Sequence, residues 1–553
     1  MASSVRDPLA SAGTSAGRLP MISSPSPPVR LSPPRGSGGH QRAGPRERLR
    51  ERLARAATDL RPARHPDRWA AVGVAVLALV LYVRSLLPGI GYSGDTAKWQ
   101  FLGAVGGTPH PTGYPLYLAL NKAWVTLVPW GSLAWRANLL SAVCGAAAVG
   151  LLVLLLRALD VRLAVAAATA ATFAASLTFW SQAVVAEVYT LHLLLLTAVT
   201  LCLARWRAGG GDVWLRAAIA LVALSFGNHL GTVLAVPGLA WVAWTDPRRV
   251  LTARNAAFTV VAAVAGAAQY GYLLWMGRVG GYHEQSVRDW GDVLDMVTGG
   301  RFRDDMFAFG LRALVVDRLP MLARLAWGEQ AVLLALSAAG VVVALRGRHR
   351  PVAVHLLILG TLATVYALGF GVDDVFVFFL PAWLVLAVFL GVGADALAAR
   401  VAPHVPAGAL GRALAVLALV GVPVAMGLVN YGRASQRGAT AVADRMERLV
   451  EAAGSDALIV TDNYADSEYV WYHLLGEGLA DERDLALGNQ VAPSTVVAFV
   501  RDGRGRLTRV ATPGTPVFTA TESQAEDLAA AGLVPVEVAA DVWLVLDGPP
   551  PPP

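Results

Sequence analysis

The chain is 553 residues long, 55% hydrophobic and only 15% charged, with a mean hydropathy of +0.51; a soluble protein carries roughly 25% charged residues. Repeated apolar runs of about 20 residues explain the deficit and make this a polytopic membrane protein. The net charge of +7 and pI of 9.6 do not indicate nucleic acid, because the arginines stand at the ends of apolar runs and in the N-terminal tail, not on an aromatic-bearing surface. Cys144 and Cys202 fall inside apolar runs, which supports neither a disulfide framework nor a Cys-type metal site.

Residues 1–68, rich in Ser, Pro, Gly and Arg, are expected to form a disordered basic tail on the cytoplasmic side. The first span is expected from Trp69 to Leu87. The segment Pro88–Arg136 is amphipathic and interrupted by Pro and Gly, which suits short interfacial helices in an outer loop. Further spans are expected near 138–156, 163–180, 184–203, 214–226, 232–244, 256–275, 331–345, 352–370, 375–397 and 413–429, for a total of about eleven. Arginine placement supports this arrangement. With the N-terminus inside, each short inside loop is basic, as at Arg157 and Arg162, at Arg248, Arg249 and Arg254, and at Arg346, Arg348 and Arg350. The turns near Ser181–Ala183, Gly227–Gly231 and Gly371–Asp374 carry no Lys or Arg. The positive-inside rule then puts Asp95 and everything after Asn430 outside, in what is expected to be the plasma membrane. The outer segment Gly277–Gln330 is expected to form short helices covering the first outer loop.

Beyond Asn430 the pattern changes. Ala457–Asp462, Ser494–Val500 and Thr515–Thr519 read as strands, and Ser467–Leu475 and Glu522–Ala531 as helices. The expected organisation is a transmembrane domain over 69–430, a small extracytoplasmic α/β domain over 431–548 and a Pro tail over 549–553.

Several polar residues fall at one depth on the outer side: Asp95, Lys98 and His110 in the first loop, Arg136 at the next span, then Gln182, Glu187, Asn228, His229, Asp373 and Asp374. Singly, each has a plain structural explanation. Asp95 reads as an N-cap, Glu187 as an acid at a helix start and Asn228 as a C-cap. Together they line one face, and ionisable groups near lipid usually mark a site. A carboxylate to take a proton and cations to hold a phosphate suit group transfer from a charged lipid headgroup to a hydroxyl. Asp95 is the candidate base, and Arg136 or Lys98 the phosphate partner.

Three stretches carry a resemblance: Gly94-Asp95-Thr96; His110-Pro111-Thr112-Gly113-Tyr114-Pro115-Leu116-Tyr117; and Trp135-Arg136-Ala137-Asn138-Leu139-Leu140-Ser141. To these are added Phe179 through Leu191, Gly227-Asn228-His229-Leu230, Val297 through Phe302 and Asp374 through Pro381. Taken together, they resemble the protein O-mannosyltransferase-like GT-C membrane family over about residues 70–475. The resemblance implies a GT-C-like bundle and a polyprenyl-phosphate-linked sugar as donor, with the family's first-loop acid at Asp95. Donor and acceptor binding is expected of Lys98, His110, Tyr114, Arg136, Glu187, Tyr189, Asn228, His229 and Arg301; no metal or other cofactor is expected. One departure stands out: the family's second acid, three residues after the first, is Lys98 here. The acid is then dispensable, or Lys98 binds phosphate instead, or activity is lost.

The function expected is an inverting membrane glycosyltransferase that moves a sugar, with mannose among the candidates, to a hydroxyl of a protein or glycan on the extracytoplasmic side. The alternatives are a polytopic transporter or lipid flippase, which calls for repeats and broken helices at the membrane midplane, and a non-catalytic membrane scaffold.

Overall fold

The computed structural model describes residues 65–91, 95–406, 408–502, 511–512 and 514–549. Residues 1–64 and 550–553 of the two expected tails lie outside the described residues. Residues 65–68 do not belong to a tail: the first helix is His65–Arg84, with Asp67 in its first turn and Arg84 in its last. Pro66 and an early acid favour a helix start there. Asp67 is also paired with Arg157 at 2.9 Å, which ties the start of the first span to the end of Leu133–Ala158.

Each expected span falls on a helix, a helical pair or a helical run. Among the described residues, eight helical runs are long and apolar enough to cross a membrane. A ninth is made if the Leu163–Ala174 and Leu177–Ala183 pair, bent by 69°, counts as one. Asp212–Phe226 and Leu230–Trp244 supply the two shorter expected spans. The span expected at 331–345 is the end of a longer helical run, Leu311–Arg346, interrupted at Ala331, whose φ is +43°.

The bundle is closed by tight backbone contacts at glycine. A Cβ at Gly340 would lie 1.8 Å from the Phe389 carbonyl oxygen, and one at Gly393 would lie 2.0 Å from that of Leu336. The Leu334–Arg346 and Leu380–Val401 helices can meet this closely only because both positions lack a side chain. The largest buried side chains of the bundle include Tyr82, Phe179, Trp180, Phe379 and Phe389.

The segment expected to form the first outer loop folds into two short helices, Thr96–Val105 and Pro115–Leu127. Between them, strand β1 (Gly107–Thr108) pairs in parallel with β2 (Tyr282–His283) of the second outer segment. This pairing, with the Trp290–Val297 helix beyond it, lays the second segment over the first loop.

The C-terminal part is α/β, as expected, with a five-stranded sheet in the order β4-β3-β5-β7-β6. The strands are β3 (Leu458–Val460), β4 (Ala486–Gly488), β5 (Val517–Thr519), β6 (Val534–Ala539) and β7 (Val542–Leu546). Strand β3 runs parallel to β4 and β5; β7 runs antiparallel to β5 and β6. One expected strand is corrected. Residues 494–500 lie in a helix, Pro493–Val500, that buries Val496 and Phe499. A Pro at its start and apolar burial at i and i+3 are helical signals, which the unbroken Val/Ala/Phe run obscures. Strands β4, β6 and β7 and the Ala441–Ala453 helix were not foreseen. This part does not stand free of the membrane domain: Trp99, Phe101 and Tyr117 of the first outer loop share one buried cluster with Met446, Leu449, Tyr469 and Tyr472.

Candidate active site

Asp95 occupies the N-cap position of Thr96–Val105, but its side chain makes no capping hydrogen bond. Only its backbone carbonyl serves the helix, accepting from Trp99 N at 3.1 Å. The carboxylate is therefore free to join a polar cluster. Three residues on, Lys98 is fully buried and points its Nζ at four partners: Asp95 Oδ1 at 2.8 Å, Glu284 Oε2 at 2.9 Å, His110 Nδ1 at 2.6 Å and the Tyr464 hydroxyl at 2.5 Å. An ammonium has three protons, so four acceptors saturate it. Tyr464 in turn donates to Asp95 Oδ1 at 3.1 Å. With His110 Nδ1 accepting from Lys98, Nε2 carries the ring proton; it lies 3.4 Å from Asp95 Oδ2 and 3.1 Å from the Tyr114 hydroxyl. Glu284 is also bonded by the His110 backbone N–H and by Arg301.

Solvent access separates these groups. The Asp95 side chain keeps 32% of its surface open, whereas Lys98 keeps none, Glu284 7% and His110 8%. Asp95 is thus the more open carboxylate of this cluster. Burial alone would raise its pKa, but its interactions with His110 and with the Lys98 ammonium outweigh burial and hold it below the ordinary carboxylate value. Burial would lower Lys98, yet Asp95 and Glu284 keep it raised and firmly charged.

Beside the cluster lies a cavity of about 380 Å³. Thr96 and Glu187 line it, with Asp374, Glu329, Arg324 and Arg433. Thr96 Oγ1 donates to Glu187 Oε1 at 3.4 Å, linking the cavity to the residue next to Asp95. Burial, then the nearby charges of Asp95 and Asp374, push the Glu187 carboxyl well above its usual pKa. Glu329 is spent on the Thr178 backbone N–H at 2.8 Å and on its hydroxyl. Arg324 and Arg433 are exposed and, among the described residues, neither has an ion-pair partner.

The structure brings together Asp95, Lys98, His110, Tyr114 and, through Glu284, Arg301. It sets Glu187 in the adjoining cavity. Tyr189 and His229 belong to an aromatic wall behind Tyr114, with ring centroids 5.6 Å apart and His229 6.2 Å from Tyr114. The Asn228 amide is used on the Val188 carbonyl at 3.2 Å, and His229 Nδ1 accepts from Gly231 N at 3.0 Å. Arg136 does not join the cluster. Its guanidinium donates to the Val125 carbonyl at 2.5 Å and to that of Val128 at 3.3 Å, carbonyls left open where the Pro115–Leu127 helix ends. Sequence reasoning missed Glu284, Tyr464 and Arg433. The one available signal was positional: Tyr464 follows the end of β3, where α/β sheets commonly place functional groups.

Among known proteins, a family model described as the protein O-mannosyl-transferase TMEM260 N-terminal domain matches residues 103–252. The Mus musculus protein O-mannosyl-transferase TMEM260 is 37% identical over 120 residues, which are 22% of this chain and 17% of that protein. Neither Asp95 nor the C-terminal sheet falls within 103–252. In fold the chain is similar to ArnT from Cupriavidus metallidurans bound to undecaprenyl phosphate, with a TM-score of 0.57 at 15% identity, covering 86% of this chain and 97% of that one. The apo form of the same protein matches with a TM-score of 0.55 at 14% identity and the same coverage. The chain is therefore protein O-mannosyltransferase-like in the matched stretch and GT-C-like in its overall fold.

Proposed function

We propose that this chain is a membrane glycosyltransferase that moves a sugar from a polyprenyl-phosphate-linked donor to an acceptor hydroxyl on the extracytoplasmic face. The observation that carries the reading is the Asp95 carboxylate, held ionised and partly open beside a cavity that also holds two unpaired arginines. Support for a lipid-phosphate donor comes from the ArnT fold match, solved with undecaprenyl phosphate. Support for mannose comes from the name of the mouse relative.

In the proposed reaction the acceptor oxygen attacks the anomeric carbon from the face opposite the phosphate. The new C–O bond forms as the bond from carbon to phosphate oxygen breaks. The acceptor proton passes to Asp95, and polyprenyl phosphate leaves with the bonding electron pair. General-base catalysis of this kind is worth about 10²–10⁴ in rate. Arg324 and Arg433, with guanidinium groups suited to phosphate oxygens, take the role first expected of Arg136. Lys98 fixes Asp95 and keeps it charged.

The test is Asp95→Asn in membranes supplied with labelled polyprenyl-phosphate sugar. Transfer should fall by about 10²-fold or more with the protein still present at the wild-type level. Full transfer by that variant would remove Asp95 as the base. The same assay, run with a panel of sugars, identifies the donor.

A further inference from the structure

A second cavity, of about 560 Å³, opens at the end of the first span. Leu79, Val80 and Val83 form its apolar wall, Trp135 flanks it, and among the described residues Arg84 and Arg437 are its only charged lining residues. Val80, Val83, Arg84 and Arg437 are exposed. Among the described residues neither arginine has a carboxylate partner, and no acid lines the cavity. This is the reverse of the Asp95-side chamber, where Glu187, Glu329 and Asp374 accompany the two arginines.

Each feature has a physical meaning. Arg84 in the last helical turn suits the helix dipole, but that accounts for nothing at Arg437, which is separated from it by the whole bundle in sequence. Two unpaired guanidinium groups in one cavity make an anion site, and Arg presents a fork that matches phosphate oxygens. A tryptophan beside an apolar helix face is characteristic of headgroup depth in a bilayer. The volume lies within the roughly 300–1,000 Å³ of small-molecule sites.

From this we infer that the cavity is a binding site for an anionic phospholipid of the leaflet on the Asp95 side, with its phosphate between Arg84 and Arg437 and an acyl chain over Leu79, Val80 and Val83. A phospholipid fits better than the sugar donor because a backbone strap separates the two cavities. Gln436 N donates to the Ser85 carbonyl at 2.9 Å, and the Gln436 side chain lines the chamber near Asp95 while its neighbour Arg437 lines this one. A headgroup held here is walled off from Asp95, and it steadies the strap that carries Arg433 and Gln436. The inference requires only that the protein sit in a bilayer, so it stands apart from the transferase reading.

The test is native mass spectrometry of protein released from nanodiscs of mixed phosphatidylglycerol and phosphatidylcholine, with polyprenyl phosphate added in a separate arm. Wild type should carry phosphatidylglycerol enriched several-fold over its share of the bilayer. The double variant Arg84→Gln, Arg437→Gln should lose about 10-fold of that binding, and Arg84→Lys, Arg437→Lys should keep part of it. Asp95→Asn should bind like wild type, which separates this result from any failure of the transfer assay. Equal phosphatidylglycerol on wild type and the double Gln variant would overturn the inference. So would binding of polyprenyl phosphate, and not phosphatidylglycerol, that depends on these arginines.

Discussion

Tyr464, on the first helix after β3, donates its hydroxyl to Oδ1 of Asp95 at 3.1 Å across 369 residues of sequence. The C-terminal domain thus completes the environment of the proposed base. Removing this donor with Tyr464→Phe leaves the ring and its packing in place but withdraws one hydrogen bond from the ionised carboxylate. Hydrogen bonds to charged groups contribute about 1.5–3 kcal/mol, so transfer should fall by roughly 10-fold or more. The pH profile gives the sharper reading. A base held below its ordinary pKa stays active through neutral pH and loses activity only as pH drops through that depressed value. In Tyr464→Phe the acid limb of the profile should move to higher pH. A variant that lost rate with an unmoved limb would show Tyr464 to be structural only.

Lys98 predicts a different outcome. Lys98→Met keeps the length of the side chain but strips Asp95 of its ammonium partner and leaves Glu284 with Arg301 alone as a cation. Breaking a buried ion pair from one side costs about 3–5 kcal/mol, so thermal unfolding in detergent should drop by several degrees and transfer should be lost. Lys98→Glu should do worse still by adding a third carboxylate. A Lys98→Glu protein as stable and active as wild type would mean that the cluster tolerates either charge.

Glu187 tests the protonation assignment. Burial, with Asp95 and Asp374 nearby, raises its carboxyl, which favours the neutral, hydrogen-bonding form. Glu187→Gln should therefore retain most transfer, within a few-fold, while Glu187→Ala, which opens the cavity wall, should lose far more. Equal loss in the two variants would imply an ionised Glu187.

Glu468 supplies a pH dependence of stability. It is buried, its Oε1 accepts from the Tyr282 hydroxyl at 2.5 Å, and its Oε2 has no partner. Burial pushes its pKa up to about 7. Between the unfolded carboxylate value near about 4.3 and pH 7, the folded state holds a proton that the unfolded state has released. This contribution therefore favours folding at low pH, declines as pH rises through that window and levels off above it. Melting temperatures measured from pH 5 to 8 should show the decline, and Glu468→Gln should flatten it. An unchanged slope in the variant would assign the dependence to another group.

Local chemistry explains how much of the site could be read in advance. Asp95, Lys98, His110 and Tyr114 lie within twenty residues of one another in a loop whose prolines and glycines interrupt a membrane pattern, so their grouping was visible. Arg136 was misjudged because nothing local reveals that the Pro115–Leu127 helix would end with its carbonyls turned toward that guanidinium. Helix ends leave four carbonyls unsatisfied, and a nearby arginine in a confined space answers that need first. The 494–500 run was misread as a strand because a short apolar stretch carries no period that separates strand from buried helix.

By itself the sequence determined the number and order of apolar runs, the basic loop ends and the α/β character of the C-terminal part, because hydrophobic length, charge placement and turn residues act over a few neighbours. Only the tertiary structure decided which charges meet. Glu284 reaches Lys98 from 186 residues away and Tyr464 from 366. The parallel pairing of β1 with β2 and the shared core of Trp99, Phe101, Met446 and Tyr469 bring them in. Electrostatic clusters in a low-dielectric interior depend on distance in space, and no spacing along the chain encodes that.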